Sequence, residues 1–242
     1  MRIDKFLSEC GLTSRTEAAK AAKSGLISVN GEIITKANLH IDPEVDKVTY
    51  KNEAVTYRKF TFVMLNKPDG YLSSTEDGSG ATVMDLLPKE FFRMGLFPCG
   101  RLDKDTTGLL IMTNDGESAH KLLSPKNHVP KTYSFQCASP LTATDKSALE
   151  SGVSIGGYVT KKSSLTVNPD CVSGTITITE GKFHQIKRMF EAVQNKITRL
   201  ERIAFNKIPL DPKLPLSKWR HLTEEEIASL QNWSETGSET DK

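Results

Sequence analysis

Along the first part of the chain, apolar residues recur at intervals that change from a helical to an extended period. The N-terminal repeat has steps of three and four residues, which predicts a helix with one buried face. Its apolar members are Ile3, Phe6, Leu7 and Cys10. Gly11 follows directly, and a glycine in this place is typical of a helix end.

A second helix and a hairpin are predicted next. Ser14 and Glu17 have the spacing of a capping box, which favours a helix over residues 15–23 that ends near Gly25. Two short β-type runs then flank Asn30-Gly31, a dipeptide typical of a tight hairpin turn. We therefore expect residues 1–55 to form a small helix–helix–hairpin domain.

From Phe60 onward, the pattern alternates between extended and helical stretches. Strands are favoured by FTFVMLNKP, GLLIMTND, KTYSFQCA, SSLTVNP, GTITITEG and NKITRLERIAF, and helices by ATVMDLLP, GESAHKLLS and HQIKRMFEAV. This order predicts an α+β fold with a mixed, largely antiparallel sheet over residues 60–232. Residues 52–59 have little apolar content and are expected to form a linker that few contacts between the two domains cross. The acidic tail, residues 233–242, is expected to be disordered.

Composition places the chain among soluble globular proteins. It has 242 residues, of which 37% are hydrophobic and 26% charged. No apolar run approaches the roughly 18 residues of a membrane helix, and the N-terminus does not resemble a signal peptide. The cysteines Cys10, Cys99, Cys137 and Cys171 lie far apart without a CxxC pair, so we expect reduced thiols in a cytoplasmic protein, with no zinc site.

Charge is unevenly distributed along the second half of the chain. The net charge is only +2, but residues 182–220 contain ten Lys/Arg against three Asp/Glu. Residues 223–242 contain six acidic residues and one lysine. A basic stretch of this kind indicates either a nucleic-acid-binding surface or simply a solvated face.

Several common kinds of catalytic site have no sequence support. The chain has no GxxxxGK[ST], GxGxxG, HExxH or GxSxG motif. GRLDKDTTGLLIMTNDG instead places Asp103 between an arginine and an apolar strand, where a carboxylate is costly unless it is paired or catalytic. Asp105 is interpreted as a loop cap or ion-pair partner. The alternative is a metal-binding DxD pair formed by the two aspartates.

The N-terminal segment RIDKFLSECGLTSRTEAAKAAKSGLISVNGE resembles the small RNA-binding domain named after ribosomal protein S4. In that family, two helices present basic residues to a structured RNA backbone. The resemblance implies RNA contacts from Lys5, Arg15, Lys20 and Lys23. Because acidic residues nearly balance basic ones here, this domain alone is expected to bind RNA with modest affinity.

Four later stretches occur in a specific order, namely NKPDGYLSS, GRLDKDTTGLLIMTNDG, KTY and EGKFHQIKRMF. Together they resemble the RsuA/RluB/RluE/RluF group of ribosomal RNA pseudouridine synthases. HQIKRMFEAV and WRHLTEEEIASL are most similar to the RsuA branch, which acts on 16S rRNA. The resemblance implies isomerisation of uridine to pseudouridine without a cofactor or metal. The implied partner is ribosomal RNA, either naked or in a partly assembled subunit, and the protein is expected to be a monomer that does not bind membranes.

Two alternatives stay open beside this interpretation. The chain could modify 23S rRNA as another member of the same group. It could also be a non-catalytic RNA-binding factor in ribosome assembly on the same scaffold. The intact GRLD, KTY and HQIK stretches speak against the second alternative.

The resemblance also implies roles for individual residues. Asp103 is the catalytic carboxylate, which either attacks the anomeric carbon or removes the neighbouring ribose proton. Lys187 is its cationic partner, with Arg188 as the alternative. Tyr133 lies against the uracil and could help to remove the proton from carbon 5.

The remaining candidates are expected to contact the substrate. Ile186 packs on the other side of the pocket, and Arg101 enters the RNA where the flipped base has left. Lys67 could reach a phosphate, but it could equally be structural. His184 is expected to touch RNA or a neighbouring backbone group.

Overall fold

The computed structural model describes residues 1–76, 78 and 80–232, which form two compact units. The first unit contains Met1–Thr61 and Met84–Phe97; the second contains Phe62–Val83 and the chain from Pro98. Residues 84–97, which the sequence interpretation placed in the second domain, thus belong to the first unit. The acidic tail at 233–242 lies outside the described residues.

The first unit contains the predicted helices and hairpin together with two further strands and a short helix. Ser14 caps the second helix in a reciprocal capping box with Glu17, as predicted. The elements are α1 (Ile3–Glu9), α2 (Arg15–Lys23), β1 (Ile27–Val29), β2 (Glu32–Ile33), β3 (Val48–Tyr50), β4 (Glu53–Ala54) and α3 (Lys89–Arg93). The strands are paired in the order β2-β1-β3-β4.

The predicted linker is anchored to the first unit. The Tyr57 ring stacks on Phe6 with centroids 5.5 Å apart, and its hydroxyl donates a hydrogen bond of 3.0 Å to Glu9. β4 also lies inside this segment. Tyr57 packs against the first unit in this way because a tyrosine provides a large apolar ring as well as a polar tip.

The second unit is built on one sheet flanked by helices. Its elements are β5 (Phe62–Lys67), β6 (Phe97–Pro98, at the boundary of the units), β7 (Thr107–Thr113), α4 (Gly116–Leu123), β8 (Lys131–Cys137), α5 (Ala143–Ser151), β9 (Ser164–Val167), β10 (Ser173–Ile178), α6 (Gln185–Ala192), β11 (Ile197–Phe205), β12 (Ile208–Pro209), β13 (Trp219–His221) and α7 (Glu224–Gln231). The helix expected in ATVMDLLP is a single 3-10 turn, Val83–Leu86.

The main strands of this sheet lie in the order β13-β5-β7-β11-β8-β10-β9. Neighbours along this order are antiparallel, apart from β7 and β11, which are parallel. The mixed, largely antiparallel sheet is therefore confirmed. β5 is buried along its whole length and β7 nearly so, which accounts for their continuous apolar runs.

Two helices of the second unit were not predicted. α5 begins at a capping box formed by Thr142 and Asp145, and α7 at one formed by Thr223 and Glu226. Both boxes are visible in the sequence, so this local signal could have identified both helices. Within the described residues, no helix is long and apolar enough to cross a membrane.

Candidate active site

One row across the sheet brings together residues from four separate stretches of the chain. Lys67 is paired with Gly108, Gly108 with Arg202, and Arg202 with Tyr133. Residues directly opposite each other on neighbouring strands present their side chains to the same face. The register of β5, β7, β11 and β8 therefore sets the relative positions of Lys67, Arg202 and Tyr133.

Gly108 permits the close approach of β7 to β11 in this row. Its φ of +97° lies in the region that favours glycine. A Cβ atom added at this position would lie 2.4 Å from the carbonyl oxygen of Arg202. Any side chain here would displace the start of β7, and with it the loop that carries Asp103.

Lys67 anchors the loop that carries Asp103 by binding its backbone. Its ammonium donates hydrogen bonds to the carbonyl oxygens of Pro68 (3.0 Å), Asp103 (3.1 Å), Lys104 (3.0 Å) and Thr106 (2.9 Å). The side chain is fully buried, and this burial lowers the pKa of Lys67 to about 8. The placement favours the structural alternative for Lys67 over a contact with phosphate.

Two further contacts hold the chain on either side of Asp103. The Ser73 hydroxyl donates to the carbonyl oxygen of Leu102 and accepts from its amide, both at 3.0 Å. The amide of Gly70 donates to the carbonyl oxygen of Lys104 at 3.0 Å. Both contacts come from NKPDGYLSS, but nothing in the sequence distinguishes Ser73 from its neighbours. NKPDGYLSS therefore positions the backbone on both sides of Asp103.

Asp103 faces a cation and an imidazole from the start of α6. Lys187 Nζ lies 3.1 Å from Asp103 Oδ2 and 2.5 Å from Asp105 Oδ1. His184 Nε2 lies 3.7 Å from Asp103 Oδ1. The Asp103 side chain is 25% exposed, whereas that of Asp105 is 65% exposed. Lys187 thus bridges both carboxylates, and Asp103 is the more enclosed of the two.

The bridge also shifts the pKa values of Lys187 and Asp105. Burial by itself lowers the pKa of Lys187, but the hydrogen bonds and charges of the two carboxylates outweigh it, so the pKa is raised. For Asp105, burial raises the pKa, but the hydrogen bond and charge of Lys187 outweigh it, so the pKa is lowered. Lys187 is therefore charged at neutral pH.

Arg188 points elsewhere. A Cβ atom added to Gly156 would lie 2.3 Å from Arg188 Nη2, which places the guanidinium against the Gly156 loop. Of the two candidate partners, the structure pairs Lys187 with Asp103. The sequence could not distinguish these adjacent residues, since only their directions from the helix differ.

Asp103 borders a cavity of about 760 Å³ in the second unit. Four of the predicted residues line it with Asp103, namely Arg101, Tyr133, His184 and Ile186. Tyr133 and Ile186 are buried, and Arg101 is exposed. The size and mixed lining suit a small, partly polar ligand group such as a nucleobase with its ribose.

Lys131, Arg202 and Phe183 are among the cavity residues that were not predicted. Lys131 and Arg202 line the cavity beside Tyr133. Phe183 lines it as well, although the residue is 69% exposed, and its ring stacks on that of His184 with centroids 3.8 Å apart. Lys131 lies in the KTY stretch and Phe183 in EGKFHQIKRMF, so both had a motif signal. Arg202 had none.

The basic residues proposed for RNA contacts in the first unit are exposed, as such contacts require. They lie on α1 and α2 and are Lys5, Arg15, Lys20 and Lys23. Lys5 also lies 3.5 Å from Glu9. Their role in RNA binding stays a prediction.

The two aspartates of DKD share a cationic side chain. Among the described residues, no three His, Cys, Asp or Glu side chains converge as metal ligands. The Lys187 ammonium instead lies between the two carboxylates.

Comparison with known proteins identifies the family. The family model of RNA pseudouridylate synthases matches residues 61–192, and that of the S4 domain matches residues 1–46. The chain belongs to the RNA pseudouridine synthase family. The group predicted from its sequence motifs is thus confirmed.

Two relatives and one solved structure document the similarity of this pseudouridine synthase over almost its full length. It is 46% identical to an uncharacterized RNA pseudouridine synthase, YtzG, of Bacillus subtilis, covering 95% of this chain and 98% of the relative. It is 38% identical to ribosomal small subunit pseudouridine synthase A of Vibrio cholerae, covering 95% and 99%. A crystal structure of a pseudouridylate synthase is 35% identical, with a TM-score of 0.67 and coverage of 95% and 99%.

Proposed function

We propose that this pseudouridine synthase isomerises a specific uridine in 16S ribosomal RNA, without a cofactor, in the cytoplasm. The small-subunit substrate is supported by relatives named ribosomal small subunit pseudouridine synthase A, which match along their whole length. The observation that carries the proposal is the enclosed Asp103 carboxylate at the cavity, paired with Lys187 and fixed by a loop whose carbonyls Lys67 binds.

The chemistry needs a single carboxylate. The bond between ribose C1′ and uracil N1 breaks, the base turns, and C5 bonds to C1′. Asp103 either attacks C1′ and holds the ribose covalently, or removes the 2′ proton to leave a glycal. No water is consumed, so the second carboxylate of a hydrolytic glycosidase is unnecessary.

The cavity lining is suited to hold the uracil while the reaction proceeds through these steps. Tyr133 offers a ring for stacking, which contributes about 1–3 kcal/mol per base in single-stranded RNA complexes. Ile186 closes the pocket with apolar surface. Arg101 is exposed beside the cavity, and we expect it to occupy the position in the RNA that the flipped uridine leaves.

The test measures pseudouridine in ribosomal RNA from cells with and without this gene, and then with purified protein on 16S and 23S transcripts. We expect one 16S uridine to lose its modification in the deletion strain, and wild-type protein to restore it in vitro. If naked 16S RNA is not modified, a partly assembled small subunit is the next substrate to test.

The alternatives give different results. Loss of a 23S pseudouridine would contradict the small-subunit substrate. Unchanged pseudouridine throughout, together with a defect in subunit assembly, would favour the non-catalytic factor. The Asp103→Asn variant should bind RNA but fail to restore the modification.

A further inference from the structure

Two cations at the cavity have no role in the site described above. Lys131 of β8 and Arg202 of β11 both line the cavity. Both lie against the ring of the fully buried Phe205, with Lys131 Nζ 5.7 Å and Arg202 Cζ 5.4 Å from its centroid. Like charges at a partly dry site repel each other, so the arrangement is costly unless an anion or polar acceptor joins them.

Arg202 has an unused hydrogen-bond donor. The residue is 2% exposed, and its Nε donates to the carbonyl oxygen of Leu109 at 2.7 Å. Over the part of the chain that the structure describes, its buried Nη2 has no hydrogen-bond partner. Leaving a buried donor unsatisfied costs free energy, so the guanidinium keeps its charge beside the cavity without full compensation.

The Lys131 ammonium has further hydrogen-bond donors to offer a ligand. Its ammonium donates to the carbonyl oxygen of Val129 at 2.9 Å, and an ammonium has further N–H groups to offer. Burial, and then the charge of Arg202, lower the pKa of Lys131 to about 8. No ion pair joins Lys131 or Arg202 to a carboxylate among the described residues.

Glu180 also lines the cavity, but its carboxylate is engaged elsewhere. It accepts hydrogen bonds from the Tyr158 hydroxyl (2.6 Å), the Lys161 amide (3.0 Å) and Gln185 Nε2 (2.7 Å). Its charge favours the protonated form of Lys131 only as a minor contribution. The two cations therefore keep excess positive charge at the wall of the cavity beside Tyr133.

The reaction generates a matching negative charge. When the C1′–N1 bond breaks, its electron pair leaves with the base, and the charge spreads over N1, O2 and O4 of the uracil. We propose that Lys131 donates a hydrogen bond to a carbonyl oxygen of the target uracil, and that the charges of Lys131 and Arg202 together stabilise the anion that forms when the base leaves the ribose. This inference rests on the proposed isomerase function.

The charge on the base is transient. C5 then forms its bond to C1′, the C5 proton is lost, and N1 takes up a proton, so the product base is neutral again. Interactions that are stronger with the charged base than with the neutral one accelerate its formation without tightening the binding of substrate. Buried cations aimed at developing charge act in this way, since they need no reorganisation during the reaction.

The test compares uridine with 5-fluorouridine at the target position of one synthetic RNA. Fluorine withdraws electrons, so the fluorinated anion leaves more easily and depends less on cationic stabilisation. For Lys131→Met, we expect the single-turnover rate of glycosidic cleavage to fall about 10²-fold on the uridine RNA, as for loss of one oxyanion donor. The loss should be clearly smaller on the fluorinated RNA, and RNA affinity should stay unchanged.

Matched variants separate charge from structure. Lys131→Arg and Arg202→Lys keep the cations and should retain much of the rate; Lys131→Gln replaces Lys131→Met if the latter does not fold. Lys146→Met removes an exposed lysine of α5 outside the cavity and should behave as wild type. Thermal unfolding checks that each variant is folded.

The outcomes distinguish this inference from the function on which it rests. If wild-type protein cleaves the bond but Lys131→Met does so equally fast, the inference is wrong. An equal loss on both RNAs, or a loss of affinity alone, would also contradict it and indicate a structural role or a phosphate contact. Absence of turnover by the wild type would overturn the proposed function, and the inference with it.

Discussion

At the residue scale, the two aspartates of GRLDKD differ in enclosure although both contact Lys187. Asp103→Asn should abolish isomerisation while RNA binding persists, because an amide can neither attack C1′ nor accept the 2′ proton. Asp105→Asn should reduce the rate far less, since an exposed ion pair contributes only about 0–1 kcal/mol. Release of tritium from C5 of labelled uridine measures both rates. Turnover by Asp103→Asn above about a hundredth of the wild-type rate would rule out its role.

Lys187 forms an ion pair with Asp103 and holds the carboxylate in place. Lys187→Met removes the ammonium that lies 3.1 Å from Asp103 Oδ2. The carboxylate then loses its partner, so the isomerisation rate should fall about 10²-fold, the scale expected for a small misplacement of a catalytic group, while RNA affinity changes little. Lys187→Arg keeps a cation at this place and should retain more of the rate. A wild-type rate in Lys187→Met would show that this ion pair does not position Asp103.

At the scale of elements, Lys67 joins the end of β5 to the loop that precedes β7. Lys67→Met removes the donor shared by the carbonyls of Asp103, Lys104 and Thr106. The loop loses its support, so the isomerisation rate should fall about 10²-fold, the scale expected for a small misplacement of a catalytic group. RNA affinity should change little. A reduced affinity at an unchanged rate would instead support the contact with phosphate.

The pH dependence of stability gives a second measurement on Lys67. Its pKa is about 8 in the folded protein, below the ordinary value of 10.5. Between these values the unfolded state binds more protons, so the lysine's contribution to the free energy of unfolding increases as the pH rises, by about 3 kcal/mol in all. The difference between wild type and Lys67→Met, followed by denaturant unfolding from pH 7 to 10, should show this rise. A flat difference would contradict the lowered pKa.

At the scale of the whole molecule, the first unit is proposed to add electrostatic affinity for RNA. Because Met84–Phe97 belongs to this unit, deletion of residues 1–55 would remove only part of it, and charge variants of the full chain are a cleaner test. Lys20 and Lys23 are exposed in the last turn of α2. Changing both to Gln should lower the slope of log affinity against log salt by about 0.7–0.9 per lost phosphate contact.

The control for this measurement changes Lys146 and Lys162, two exposed lysines of the second unit, to Gln. Both double variants lose the same net charge, but only the α2 variant should show the shallower slope. Both double variants are measured by filter binding on a ribosomal RNA fragment. If they give equal slopes of log affinity against log salt, α2 does not contact the RNA backbone.

The sequence by itself determined the local features of this protein. The capping box at Ser14, the Asn30-Gly31 turn and the apolar runs of the central strands specify their elements through contacts between near neighbours in the chain. The ordered motif stretches determined the family and selected Asp103 as the candidate carboxylate.

The tertiary structure decided what depends on strand register and side-chain direction. Lys67, Arg202 and Tyr133 meet because strands distant in sequence pair in one register, which no local pattern encodes. Lys187 faces Asp103 while Arg188 does not, because adjacent residues on a helix project about 100° apart. The same long-range packing buries the Lys67 ammonium against the loop that carries Asp103. Burial of this kind depends on residues far apart in the chain, so the sequence around Lys67 does not reveal it.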